Sequence, residues 1–114
     1  MPMLKIQTNT PVAEATKKVL VTVASGIVAE MLGKPERYVM ISVEENPAML
    51  FGGSDAPLAY LELKSIGLPE NRTGEFSTRL AKLLEEQLGL PSDRVYIEFA
   101  DAARHMWGWN GGTF

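Results

Sequence analysis

A chain of 114 residues, 46% hydrophobic and 22% charged, is long enough for one modest core, so a single domain spanning 1-114 is expected. A net charge of −3 and a pI near 5.1, with no run of basic residues, argue against sequence-independent binding to nucleic acid or to an anionic membrane. The absence of cysteine removes disulfides, thiolate nucleophiles and thiolate zinc sites, and the one histidine, His105, excludes a multi-histidine metal centre within one chain.

The first nine residues, Met1 to Asn9, alternate as a strand from the first residue onward. No signal-peptide pattern precedes them, and no apolar run approaches the roughly 20 residues of a membrane span, so a soluble cytoplasmic protein is expected. Removal of Met1, which a small second residue permits, would leave Pro2 with a free secondary amine. Such a nitrogen can take a proton from carbon at neutral pH if burial or a nearby cation destabilises its ammonium form. The plainer account of Pro2 is that a strand start loses no ladder donor to proline.

Thr10-Pro11 predicts a helix entry, with Thr10 as cap and Pro11 in the first position, or a start one turn later near Thr16. Leu20, Val23, Ala24, Ile27, Val28, Met31 and Leu32 then recur at helical spacing, and Gly33-Lys34-Pro35 predicts a left-handed cap followed by a stop. Tyr38 to Val43 reads as a strand, Asn46-Pro47 as a turn, Met49-Leu50-Phe51 as a very short strand and Gly52-Gly53 as another turn. Leu58 to Ile66 is a longer strand, with Tyr60, Glu62 and Lys64 on one face and Leu61 and Leu63 on the other. Asn71 is placed to cap a second helix, whose stripe is Phe76, Leu80, Leu83, Leu84 and Leu88 and whose end is Gly89 and Pro91; Val95 to Phe99 follows as a strand.

Gly33 to Val39 and Gly89 to Val95 repeat one pattern about 56 residues apart, too long a period for a solenoid. Two βαβ units joined in one mixed four-stranded sheet, with both helices on one face, is the α+β arrangement that buries both stripes. The other face would carry Lys5, Gln7, Ser42, Glu44, Glu62, Lys64, Tyr96 and Glu98, either solvated or lining the interior of an oligomer. The tail holds Trp107, Trp109 and Phe114, which must dock on the domain or on a neighbouring subunit, filling a gap or walling a ligand pocket.

Met1-Pro2-Met3 with Thr8-Asn9, Gly33-Lys34-Pro35, Phe51-Gly52-Gly53-Ser54, Ser65-Ile66-Gly67, Asp93-Arg94-Val95-Tyr96-Ile97, and Gly108-Trp109-Asn110 with Thr113-Phe114 resemble, in order and spacing, the macrophage migration inhibitory factor family of the tautomerase superfamily. The resemblance covers essentially the whole chain. It implies a homotrimer with an active site at each subunit interface, and cofactor-free keto-enol tautomerisation of small aryl keto acids such as phenylpyruvate. Pro2 matches the family's catalytic base, Lys34 its pocket lysine, Ile66 a residue whose backbone contacts substrate, and Tyr96 the aromatic supplied by the adjacent subunit. It also implies a separable cytokine role in animals, with a protein receptor as partner and secretion without a signal peptide.

Three departures bear on the substrate site. Glu98 stands where animal members have an asparagine, and a carboxylate there repels an anionic keto acid or raises the pKa of the prolyl ammonium. Trp107 is bulkier than the small aliphatic usual at the pocket mouth. Lys64 replaces a histidine and adds a cation that offsets Glu98. Glu98 and Trp107 favour a rival reading, a cytokine-like binding or signalling trimer with little or no catalysis. The strand and helix order alone also fits a ferredoxin-like regulatory domain, an analogy that says little about function.

Overall fold

The computed structural model describes residues 1–114. Strand β1 (Met3–Thr8) buries Leu4, Ile6 and Thr8 and leaves the alternate residues half-buried, the period of a strand with one face on the core. Helix α1 (Glu14–Leu32) leads to β2 (Met40–Glu45), which pairs parallel to β1 from Met3↔Met40 to Thr8↔Glu45. Strand β3 (Ala59–Ile66) runs antiparallel to β1, and α2 (Thr73–Leu88) leads to β4 (Val95–Ala102), parallel to β3. The sheet order β2-β1-β3-β4 is thus two crossover units joined along an antiparallel β1/β3 seam, as the internal repeat requires.

One core accounts for both helices. Leu4, Ile6, Leu61 and Leu63 from the sheet meet Leu20, Ala24 and Val28 of α1 and Phe76, Leu80 and Leu84 of α2, all buried. Both helices therefore lie on one sheet face. Each ends in the same way: Gly33 at φ +62° and Gly89 at φ +69° adopt the left-handed cap, and the Lys34 and Leu90 N–H groups reach back to the Ala29 and Leu84 carbonyls. A proline and a 3-10 turn follow each cap, Glu36–Tyr38 in one repeat and Ser92–Arg94 in the other.

The helix starts differ from expectation. Thr10 does not cap α1, which begins a turn later at Glu14, two residues before Thr16, without a side-chain cap. The Thr8 hydroxyl accepts the Thr10 N–H and donates to the Leu58 carbonyl, while the Glu45 carboxylate takes the Val12 N–H at 2.8 Å, so residues between them are tied to strand ends. Asn71 lies inside the 3-10 turn Glu70–Arg72 and does not cap α2, which starts at Thr73. Met49 to Phe51 forms no strand; Phe51 and Ser54 make one isolated bridge across Gly52-Gly53. Tyr38 belongs to the 3-10 turn before β2, and β4 runs past Phe99 to Ala102. The tail folds into a small hairpin of β5 (Gly108–Trp109) and β6 (Gly112–Thr113), turned at Asn110 and Gly111, both with positive φ.

Candidate functional site

The start of β1 lies at the end of the sheet where β3 finishes, with Met3 opposite Lys64 and beside Met40. Pro2 is buried there, and its carbonyl accepts the Met40 N–H at 3.0 Å. A cavity of about 300 Å³ opens between Pro2, the turn from Arg37 to Met40, and the tail. Its wall is aromatic. Tyr38 stands edge-on to Trp109 and Phe114, at ring separations of 5.7 and 5.9 Å, and Trp109 stacks on Phe114 at 5.4 Å. The Phe114 N–H donates to the Trp107 carbonyl, which closes the tail against its own domain.

The amino terminus of the chain sits at this cavity. Burial is the larger cause, and the Lys34 ammonium the second, that holds its proton affinity below that of an ordinary α-amine. Lys34 follows the left-handed Gly33 cap that ends α1, and its N–H donates back to the Ala29 carbonyl. A larger groove of about 550 Å³ runs between α2 and β4, but its hydroxyls and its Lys82–Glu86 ion pair do not converge on a common point of chemistry.

The remaining sequence candidates divide by position. Trp107 lines the cavity with Pro2. Ile66 is buried at the same end of β3 but outside the cavity lining. Tyr96 is at the opposite end of the sheet: its neighbour Val95 pairs with Ala59, which in turn pairs with Thr8 at the far end of β1. It is 65% exposed as a residue, and its ring packs on Phe51 at 4.4 Å, beside an apolar cavity of about 390 Å³ that includes Met49 and Leu50. Glu98 faces Glu62 in register, and like charges so placed repel. The single Tyr60 hydroxyl proton lies between the two carboxylates, donated mainly to Glu98 with Glu62 3.2 Å from the hydroxyl oxygen, and Lys64 pairs with Glu62 at 3.5 Å. The hydrogen bond to Glu98, followed by burial, raises the pKa of Tyr60.

One subunit therefore brings Pro2 and Trp107 to one cavity, leaves Lys34 outside its lining but close enough for its charge to act on the Met1 amine, and keeps Tyr96 and Glu98 apart from them. Sequence reasoning missed Arg37 and Tyr38 as cavity residues. The repeated cap-and-proline pattern was the one available signal, because it fixes where the turn after Lys34 must go. No cluster of three His, Asp or Glu side chains is placed to hold a metal ion.

The sequence profile described as "Macrophage migration inhibitory factor (MIF)" matches residues 1–114. The chain belongs to the macrophage migration inhibitory factor family. This MIF-family chain, and so a member of the tautomerase superfamily, is 42% identical to the macrophage migration inhibitory factor homolog of Brugia malayi, over 100% of its own length and 99% of that protein's. The crystal structure of the homologue from Prochlorococcus marinus superposes with a TM-score of 0.92 at 42% identity, covering 98% of each chain. The Trichinella spiralis protein gives a TM-score of 0.91 at 33% identity, covering 98% of this chain and 99% of that one. No helix of this MIF-family protein is long and apolar enough to cross a membrane.

Proposed function

We propose that the protein is a cofactor-independent keto-enol tautomerase acting on small aryl keto acids of the phenylpyruvate type, with the Pro2 nitrogen as its base once Met1 is removed. The observation that carries this reading is the burial of Pro2 at an aromatic-walled cavity, where the Lys34 charge already lowers the proton affinity of the neighbouring Met1 amine. A neutral prolyl nitrogen takes the proton from the carbon next to the substrate carbonyl. The Lys34 ammonium holds the carboxylate or stabilises the enolate oxygen as charge develops there, and the prolyl ammonium returns the proton. Trp107 packs against the substrate ring; Ile66, buried at the same end of β3 but outside the lining of one subunit's cavity, would take part only through its backbone. Tyr96 and Glu98 reach the site only from a neighbouring subunit, so this reading includes a homotrimer with sites between its subunits.

Intact mass establishes whether Met1 is removed, and an ultraviolet assay of phenylpyruvate tautomerisation then compares the mature protein with Pro2→Gly. Loss of the base should cost on the order of 10²- to 10⁴-fold in rate. Equal rates, or a retained Met1 in an active protein, would defeat the role given to Pro2. A second reading, a binding or signalling trimer that engages a protein receptor with little catalysis, is favoured by the bulk of Trp107 in the cavity wall. An inactive mature protein that still forms trimers would select it.

A further inference from the structure

Charge placement around the cavity points beyond a simple aryl keto acid. Of the 11 lysines and arginines, Lys5, Lys17, Lys64, Arg72, Arg79 and Lys82 are in ion pairs. Arg94 is engaged by backbone carbonyls. Four cations remain without a carboxylate, and of these Arg37 lines the cavity while Lys34, three residues before it, lies outside the lining but acts through its charge on the Met1 amine.

These two cations stand at different depths. Lys34 is close enough to lower the proton affinity of the chain's amino terminus, whereas Arg37 makes no contribution to it. Arg37 is exposed and lines the cavity, with its guanidinium 4.8 Å from the centre of the Tyr38 ring. Stacking on the aromatic wall restrains the guanidinium while leaving its fork of donors free for a carboxylate or similar anion. A flat ligand with its keto acid at Pro2 and Lys34, and its ring along Tyr38 and Trp109, presents its far end to Arg37.

We propose that Arg37 is a specificity residue that favours aromatic keto acids carrying a second anionic group on the ring, at the end remote from the keto acid. This deepens the tautomerase reading and rests on it for the orientation of the substrate. The inner cation addresses the reacting end and the outer one the ring substituent, so loss of Arg37 affects recognition without touching proton transfer.

The test compares wild type, Arg37→Gln and, as a control for overall charge, Lys18→Gln on the exposed surface of α1. Turnover is measured with phenylpyruvate and para-carboxyphenylpyruvate. Binding is followed separately through the fluorescence of Trp107 and Trp109, the two tryptophans of the chain, using cinnamate and para-carboxycinnamate. In Arg37→Gln, KM for para-carboxyphenylpyruvate should rise about five-fold with kcat unchanged, and Kd for para-carboxycinnamate should rise by the same factor. Phenylpyruvate, cinnamate and the Lys18→Gln protein should show no comparable change. Equal effects on the mono- and dianionic ligands, or no preference for the dianion in wild type, would overturn the assignment while leaving any measured tautomerase activity intact. Absence of turnover in every protein, with the binding preference present and lost in Arg37→Gln, would remove the tautomerase reading and keep the role of Arg37.

Discussion

A proton acceptor at the chain's start works only while its nitrogen stays neutral. In the chain with Met1 in place two causes lower the proton affinity of the Met1 amine, burial first and the Lys34 charge second; the proposed Pro2 amine, one residue on, would take over the same surroundings. Both disfavour the ammonium, so activity should rise as pH climbs through a midpoint lower than that of an ordinary α-amine. Lys34→Gln removes the smaller cause. The acid limb of its kcat/KM profile should move to higher pH and still fall short of the ordinary α-amine value, because burial persists; an unmoved limb, or one shifted to lower pH, would refute the electrostatic link. Pro2 could be singled out from residue type and position along the chain, whereas Lys34 reads by itself as a lysine at a helix end and was singled out only through the family resemblance. Arg37 was not, since an arginine in a short polar turn reads as a solvated charge until the aromatic tail is seen to close over the same turn. The Tyr60–Glu98 hydrogen bond was equally hidden, because it depends on the β3/β4 register between residues 38 apart in the chain.

At the level of elements, the periodic stripes of both helices and the alternation of β1 and β3 translated directly into one buried core. Helix ends were legible and helix starts were not. A glycine in the left-handed conformation followed by proline terminates a helix by local sterics alone, whereas near Thr10 the Val12 N–H is taken by Glu45, distant in sequence, and Asn71 is drawn into the 3-10 turn that precedes α2. The loop from Phe51 to Pro57 shows the same dependence on long-range contacts. Lacking regular structure, it is fastened by the Arg94 guanidinium, which donates to the carbonyls of Phe51, Ser54 and Ala56 at 2.9, 3.1 and 2.8 Å and lies 5.0 Å from the Phe51 ring centre. Arg94→Ala should therefore lower stability by about 2 kcal/mol, or roughly 8 °C in Tm for a domain of this size, as read by urea and thermal unfolding. Arg94→Lys should recover less than half of this, because an ammonium lacks the planar fork that reaches several carbonyls at once. A loss close to zero for Arg94→Ala would mean that the loop is held by its Phe51–Ser54 bridge alone.

The whole molecule presents a geometric problem that one chain does not solve. Pro2 lies at one end of β1 and Tyr96 beside the other, across the length of a shared sheet, with the apolar residues around Tyr96 open to solvent. If both serve one active site, the Tyr96 end of one subunit must meet the Pro2 end of the next. Such a head-to-tail contact is heterologous, and repeated with closure it yields a ring, the three-fold case being the homotrimer proposed above. The protein should then sediment at three times the 12.5 kDa of a single chain. A sharper consequence concerns two inactive variants, Pro2→Gly and Tyr96→Ala. Unfolded together in equal amounts and refolded, they form mixed rings in which about a quarter of the sites pair an intact Pro2 with an intact Tyr96 from the neighbour, and activity should return to about that fraction of wild type. Refolding each variant alone should restore none. Were the site contained within a single subunit, no mixing could rebuild it, because every chain would carry one of the two lesions.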